Sequence, residues 1–276
     1  MFLTQAENKQ AQTGLFSLLR KHKELLRELV RRELNEQFAG GLLGSIWVIF
    51  HPLFLMAVYL FVFSFVFRNK IGGTFELPLN YTTYFLSGLI PWLNLQQVLS
   101  RTCASITSNS GLVKQVIFPI ELLPIKTTIA TLPSQLISIG VLFLYVLCTY
   151  HYLPWTYLLF PVVFALQIMM SIGIALILST ITAFIRDIKE LVTLFCFAGM
   201  FLLPITYLPA WVPTLFKPML HANPFSYMIW CYQDIFYYGR MEHPYAWGVY
   251  ILMAAGLFWL GTRTFNKLKP HFGDVL

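Results

Sequence analysis

The sequence predicts an all-α integral membrane protein with six transmembrane helices, an N-terminal amphipathic interfacial helix, and short re-entrant helices between the fifth and sixth spans. Two observations carry this prediction. Hydrophobic residues make up 57% of the chain and charged residues 11%, whereas soluble proteins usually contain about 25% charged residues. Several apolar runs are also long enough to cross a hydrocarbon layer roughly 30 Å thick as a helix.

Residues 1–44 are predicted to form a cytoplasmic N-terminal segment with an amphipathic helix. Leucines recur there at helical spacing, and basic residues fall between them. This pattern is typical of a helix that lies in the membrane interface, where cations meet anionic head groups. Packing of the helix on a protein surface is the alternative. Gly40, Gly41 and Gly44 follow and allow the chain to turn into the bilayer.

A transmembrane domain is predicted over residues 45–264, and a cytoplasmic tail over 265–276. Charges, prolines and glycines divide the apolar sequence of this domain into separate runs. The second run is the weakest because Asn94, Gln96 and Gln97 make its end polar and Pro91 interrupts it. The predicted spans are residues 45–67, 81–100, 120–149, 155–183, 191–208 and 244–263.

The distribution of basic residues predicts the orientation. Fourteen of the nineteen Lys and Arg fall in the two terminal segments and in the connections on the same side, and four fall in the opposite connections. Cytoplasmic segments carry the excess of Lys and Arg in membrane proteins. Both termini are therefore expected in the cytoplasm, in agreement with an even number of spans.

A dense group of charges separates the fourth and fifth spans. The stretch reads FIRDIKEL, residues 184–191, and its charged residues are Arg186, Asp187, Lys189 and Glu190. One charge at the bilayer centre costs about 2.5–3.5 kcal/mol, so the stretch is predicted to be a cytoplasmic turn. Arg186 and Glu190 have the spacing of a helical ion pair. The turn either contacts a partner or is only solvated.

The connection at 209–243 is rich in proline and aromatic residues and poor in charge. This composition suits short helices that dip back into the bilayer from the outer side, with Trp and Tyr at the interface. A rigid extracellular cap is the alternative.

The sequence shows no catalytic constellation. The six histidines are scattered, no metal-ligand spacing is present, and there is neither a GxSxG elbow nor a GxxxxGK[ST] phosphate loop. No catalytic or metal site and no nucleic-acid partner are therefore expected. The chain is therefore not expected to bind ATP by itself in the P-loop manner.

Five stretches, in order, resemble the permease subunits of ABC-2 type exporters, specifically the group that moves O-antigen, capsule or teichoic acid. They are FAGGLLGSIWVIFHPL (38–53), VIFPIELLPI (116–125), FIRDIKEL, ANPF (222–225) and FNKLKPHFGDVL (265–276). The resemblance implies a homodimer in the bacterial inner membrane, paired with two copies of a P-loop ATPase. The chain itself would be a transport subunit and not an enzyme.

The resemblance also implies a coupling segment between the second and third spans, at about 101–118, which would bind the ATPase. The residues expected there are Arg101, Ser105, Asn109, Gly111, Lys114 and Gln115. The cargo expected is a glycan on undecaprenyl diphosphate, and the basic residues Arg27, Arg31 and Arg32 would attract that diphosphate. Aromatic rings stack on sugar rings, so the residues expected to line the channel are Tyr59, Phe63, Phe67, Trp92 and Phe195.

Three other functions remain open from the sequence. The same fold could export a drug or a small lipid. A membrane enzyme acting on lipid-linked sugars would need clustered acidic or histidine residues, and a stand-alone channel would need a selectivity ring; the sequence shows neither feature.

Overall fold

The protein is described here by a computed structural model that covers residues 15–37, 46–62, 78–113 and 118–275. Within these ranges the chain is helical and contains no strand, which confirms the all-α class. The helices are α1 (Leu15–Lys21), α2 (Lys23–Gln37), α3 (Trp47–Leu60), α4 (Tyr81–Thr102), α5 (Ser110–Val113), α6 (Leu122–Tyr150), α7 (Phe160–Phe184), α8 (Ile188–Leu202), α9 (Lys217–Ala222), α10 (Pro224–Gln233), α11 (Pro244–Leu268) and α12 (Phe272–Val275).

A helix occupies the position of each predicted span. Three of these helical segments are long and apolar enough to cross a membrane, namely Leu122–Tyr150, Trp155–Phe184 and Pro244–His271, and α3 is a shorter apolar helix. Helix α4 is long but less apolar, and most of its residues are buried by neighbouring helices. The chain is therefore a multi-pass membrane protein with several apolar helices.

The six helices run in alternating directions between two ends of the bundle. At one end the last turn of α4 contacts α2, where Arg101 Nη1 donates to Gln37 Oε1 at 2.8 Å. Both described termini lie at this end, which we call the terminal end. At the other end the hydroxyl of Tyr84, near the start of α4, donates to the carbonyl of Pro204 after α8. We call this the opposite end.

Helix α8 is shorter than the predicted fifth span. It begins at Ile188, inside the FIRDIKEL stretch, and ends at Leu202 instead of residue 208. Leu203 is extended (φ −107°, ψ 152°), as expected for a residue that precedes a proline, because the ring of Pro204 clashes with a helical neighbour. The prediction of the end of this span was wrong for that reason.

Two hydrophobic clusters organise the interior. The large cluster fills the bundle and includes residues of α4, α8, α10 and α11. A smaller one, which we call the terminal cluster, joins Ile106, Leu123, Leu176, Phe265 and Phe272. Leucines of α1 and α2 pack against it, so part of the leucine stripe of the amphipathic helix contacts protein.

Helices α7 and α11 make the closest helix–helix approach. At Gly173 an added Cβ would lie 2.5 Å from the backbone of Leu257, and at Gly261 it would collide with the carbonyl of Gly173. Real Cβ atoms do not tolerate such contacts. The two glycines therefore allow the backbones to touch, in the way that small residues bring membrane helices together.

Replacing Gly261 with alanine is expected to destabilise the bundle by about 1–3 kcal/mol, the usual effect of overpacking. The matched control is Gly256→Ala on the same helix, where nothing lies within 4 Å of the added carbon. Thermal unfolding of the detergent-purified protein measures both. Equal melting temperatures for the two variants would show that the helices are not held at this distance.

Candidate functional site

The segment that follows α4 forms a compact turn at the terminal end. Ser105 Oγ donates to the Thr102 carbonyl at 2.8 Å, and Asn109 Nδ2 donates to the Ser105 carbonyl at the same distance. These bonds satisfy carbonyls that the end of the helix would leave without partners. Ile106 is fully buried in the terminal cluster, and Leu112 packs against it. The turn is therefore packed against the core.

The predicted coupling residues do not all lie on the surface of this turn. Gly111 is exposed and Asn109 is half-buried, but Ser105 is buried and holds the turn from inside. Arg101 points towards Gln37 and away from the turn. The coupling role of Ser105 and Arg101 stays a prediction. Lys114 and Gln115 lie outside the described residues.

The start of α6 is fastened to both terminal segments. Lys126 Nζ lies 2.9 Å from Glu33 Oε2 of α2, and Lys269 Nζ lies 2.6 Å from Glu121 Oε1. Glu121 and Lys126 do not pair with each other, although both lie at the start of the third predicted span. We call these two ion pairs the terminal clamp. It connects α2 and the C-terminal segment to the helix that directly follows the coupling segment.

Burial makes the clamp energetically sensitive. The side chain of Lys126 is 7% exposed and that of Glu33 is 25% exposed. Glu121 is also buried, and its Oε2 has no hydrogen-bond partner among the described residues. An ion pair out of water adds little to stability by itself, but loss of one partner leaves an uncompensated charge. Each pair therefore makes separation of its elements costly.

The FIRDIKEL turn is fully on the surface. All four charged side chains, those of Arg186, Asp187, Lys189 and Glu190, are exposed. The suggested Arg186–Glu190 ion pair does not form among these described side chains, because Arg186 precedes α8 and the i,i+4 geometry applies only within a helix. Backbone hydrogen bonds hold the turn instead. Lys189 N donates to the Arg186 carbonyl, and Glu190 N donates to the Asp187 carbonyl.

A buried polar network crosses the middle of the bundle. Asn94 donates to Thr131 Oγ1 at 2.9 Å, Gln167 donates to Asn94 Oδ1 at 3.1 Å, and Gln135 donates to Gln167 Oε1 at 2.7 Å. Tyr232 also donates to Gln167 Oε1. These residues come from α4, α6, α7 and α10. Because unpaired polar groups are costly in an apolar interior, the network fixes the mutual position of four helices.

Most of this network was not predicted from the sequence. Asn94 appeared there only as a weakness of the second span, and Gln135, Gln167 and Tyr232 were not singled out. The available signal was the presence of amide side chains inside apolar runs of membrane length. Polar residues in such runs commonly bond across helices.

Helix α10 buries most of its residues within the connection at 209–243. Asn223 caps it, with its Oδ1 accepting from Phe225 N at 3.1 Å, and Pro224 supplies the first turn. Gln233 Nε2 donates to the Pro204 carbonyl at 2.8 Å. Asp234, which is also buried, accepts from the indole of Trp247 at 3.1 Å. The ANPF motif thus starts a helix that is packed into the bundle.

The predicted channel aromatics have different surroundings. Trp92 is 0% exposed and its ring lies against Gly199 and Phe195. The Trp92 ring thus packs in the core of the bundle, and its role in lining a channel stays a prediction. Tyr59 and Phe195 are half-buried at the edge of the large cluster. Phe63 and Phe67 lie outside the described residues.

The basic residues of α2 face away from the protein. Arg27, Arg31 and Arg32 are all exposed. Arg32 Nε donates to Glu36 Oε1 at 2.5 Å, and this bond lowers the pKa of the Glu36 carboxyl. Arg27 and Arg31 take part in no ion pair among the described residues. Arg27 and Arg31 are therefore better placed than Arg32 to bind an external anion.

A family model described as ABC-2 type transporter matches residues 24–237. The match covers most of the chain, so the chain belongs to the ABC-2 type transporter family. It is a transport permease subunit and not an enzyme. The resemblance of the five sequence stretches is thereby confirmed.

Named relatives match the chain almost end to end. The O-antigen export system permease protein RfbA of Klebsiella pneumoniae is 27% identical over 92% of this chain and 95% of its own length. The protein of the same name in Myxococcus xanthus is 26% identical over 94% of this chain and 97% of its own length. The polysialic acid transport protein KpsM of Escherichia coli is 24% identical over 74% of this chain and 80% of its own length.

Removing the charge of Glu33 is expected to destabilise the protein, since it leaves Lys126 buried and unpaired. The Glu33→Gln variant should lose about 3 kcal/mol of unfolding free energy. Glu36→Gln is the matched control on the same helix, because its partner Arg32 is exposed. Unfolding of the purified protein in detergent measures both. An equal loss in the two variants would contradict a special role for the clamp, whereas partial rescue by Glu33→Lys with Lys126→Glu supports it.

Proposed function

We propose that this chain is the permease subunit of an ATP-driven exporter that carries a lipid-linked O-antigen across the bacterial inner membrane. One observation carries the proposal: relatives named as O-antigen export permeases align with more than nine-tenths of the chain. The all-helical fold with long apolar helices supports it independently. The cargo would be a glycan attached to undecaprenyl diphosphate.

In this proposal six helices span the membrane, namely α3, α4, α6, α7 with its preceding turn, α8 and α11. Their alternating direction supports six crossings, and the excess of basic residues at the terminal end supports a cytoplasmic location for both termini. Helices α9 and α10 dip into the bilayer from the outer side. The burial of α10 and its bonds to Gln167 and Pro204 support this re-entrant position.

The working unit is a homodimer with two copies of a P-loop ATPase. Helix α8 offers a surface on which a second copy can pack, because its exposed residues include large apolar ones. Leu194 is 66% exposed and Phe197 is 77% exposed. Tyr59 and Phe195, together with Phe63 and Phe67, would line a path between the two copies. ATP and Mg²⁺ would be bound by the partner chains.

Coupling to the ATPase would occur at the terminal end. The turn after α4 offers Asn109 and Gly111 to a partner, and the exposed charges of the FIRDIKEL turn lie on the same side. The terminal clamp and the terminal cluster would transmit a force on this turn to α6. A separate ATPase would thereby move the transmembrane helices without binding to them directly.

Deletion of the gene, followed by complementation, tests the proposed cargo. Loss of surface O-antigen, with its lipid-linked precursor accumulating on the inner leaflet, is the expected result. A strain that keeps normal O-antigen would contradict it.

A capsule polymer is the second candidate, favoured by the similarity to KpsM. The same deletion strain distinguishes the two, because capsule would then be lost while O-antigen remains. Loss of neither glycan, with resistance to a drug or lipid changed, would favour a small cargo.

A bulky side chain at Gly111 is expected to block ATPase binding without disturbing the bundle, since nothing lies within 4 Å of an added Cβ there. The Gly111→Trp variant should co-purify with about tenfold less ATPase than the wild type does, which corresponds to a loss of about 1.4 kcal/mol in binding free energy. The matched control is Gly256→Trp, at an exposed position within α11. Full recovery of the ATPase by Gly111→Trp would place the docking surface elsewhere.

Charge reversal on α2 is expected to slow export, because a basic residue near an anionic membrane surface contributes about 1 kcal/mol of attraction. Arg27→Glu with Arg31→Glu should lower the initial rate of surface glycan appearance more than Arg32→Glu, since Arg32 is already paired with Glu36. Pulse labelling of the glycan measures this rate. Unchanged export after reversal of all three residues would rule out attraction of the diphosphate by this helix.

A further inference from the structure

A cavity of about 270 Å³ lies at the terminal end, between α2 and the first turns of α3 on one side and α4 and α6 on the other. It is larger than the roughly 150 Å³ that accommodates benzene in a protein interior. Four of its lining residues belong to the FAGGLLGSIWVIFHPL stretch, and the proposed coupling surface does not use it. Its existence therefore needs a separate explanation.

Polar donors occupy one side of the cavity. Arg101, His51, Gln37 and Gln97 all line it. The Arg101 guanidinium has five N–H donors, and the structure assigns one nitrogen, Nη1, to Gln37. A guanidinium also suits an oxyanion, and an arginine binds phosphate more specifically than a lysine does. His51 and Gln37 are exposed, so a ligand can reach these groups.

Apolar side chains form the other side. Leu34, Val48 and Pro52 line the cavity there. A second, much smaller cavity shares Pro52 and Gln97 with the first and is lined by both apolar and polar side chains, including Leu55, Leu93 and Asn94. A ligand with a charged group at one end and hydrocarbon at the other matches this division.

The local charge favours an anion. None of the described residues that line the cavity carries a carboxylate. The acidic side chain of Glu33 lies nearby on α2, but it is paired with Lys126 at 2.9 Å. The cation of Arg101 is therefore not neutralised by an ion pair within the described part of the chain.

The depth of the cavity identifies the kind of anion. Trp47 lines it from the first residue of α3, and Arg101 lines it from the last turn of α4. The ends of apolar helices lie at the head-group level of a bilayer, where Trp is enriched and where lipid phosphates lie. A lipid phosphate at this depth would have its hydrocarbon already in the membrane, which a soluble anion lacks.

We propose that this cavity binds the phosphate group of a membrane lipid, with Arg101 as the principal contact and Leu34 and Val48 against the adjoining carbons. The proposal is independent of the exported cargo, because both an anionic phospholipid and a lipid-linked diphosphate carry this group. It gives Arg101 a role in lipid binding in place of ATPase docking.

Native mass spectrometry of the purified full-length transporter, in nanodiscs containing phosphatidylglycerol, tests the site. Arg101→Met should weaken retention of the lipid about tenfold, the effect of losing one charge-assisted hydrogen bond, and Arg101→Lys should restore part of it. Ala130→Leu, which fills the cavity without changing charge, should weaken retention as well. Lys23→Met is the matched control, since it removes one exposed cation from α2 outside the cavity.

Added undecaprenyl diphosphate distinguishes the two lipid sources. If it displaces the phosphatidylglycerol whose retention depends on Arg101, and not the phosphatidylglycerol bound elsewhere on the protein, the cavity takes the lipid-linked substrate. If it does not displace it, the cavity holds an ordinary phospholipid; both results agree with the proposal. Equal retention by wild type, Arg101→Met and Ala130→Leu would overturn it, provided that thermal unfolding shows each variant folded.

Discussion

The structure depends on one constraint: polar groups within an apolar bundle must find their partners inside the protein. Asn94, Gln135, Gln167 and Tyr232 bond to one another across four helices and leave Gln135 Oε1 as the atom of the network without a partner among the described residues. The terminal clamp meets it for charge, because Lys126 is buried against Glu33. In hydrocarbon there is no water to replace a broken bond, so these contacts set which helices can move independently.

The arrangement divides the molecule into a fixed interior and more exposed elements. Helices α4, α6, α7 and α10 share the polar network and the large cluster, and α7 is further bound to α11 through Gly173 and Gly261. Helix α8 has few buried residues, and α3 buries only Pro52 and Met56. A force applied to the turn after α4 would therefore act on a rigid bundle and shift it relative to α3 and α8. This division suits an exporter in which a separate ATPase supplies the force.

The positions of the helices could be predicted from the sequence because membrane thickness sets the length of an apolar run. The end of α8 could not, since the prediction extended an apolar run past Pro204 without weighing its effect on Leu203. Trp92 was predicted to line a channel because an aromatic residue in a span fits both lipid and sugar, and its packing against Gly199 could not be predicted because Gly199 is far away in the sequence. The partners of Glu121 and Lys126 lie far away in the sequence, where neither periodicity nor spacing indicates a contact.

The central claim is that the chain forms a translocation path but draws its energy from a separate ATPase. Reconstitution into sealed vesicles, with lipid-linked glycan on the outer face that corresponds to the cytoplasm, measures this directly. Enclosed glycan should accumulate only when the ATPase and hydrolysable ATP are both present. Accumulation at the same rate with the permease alone would contradict the account.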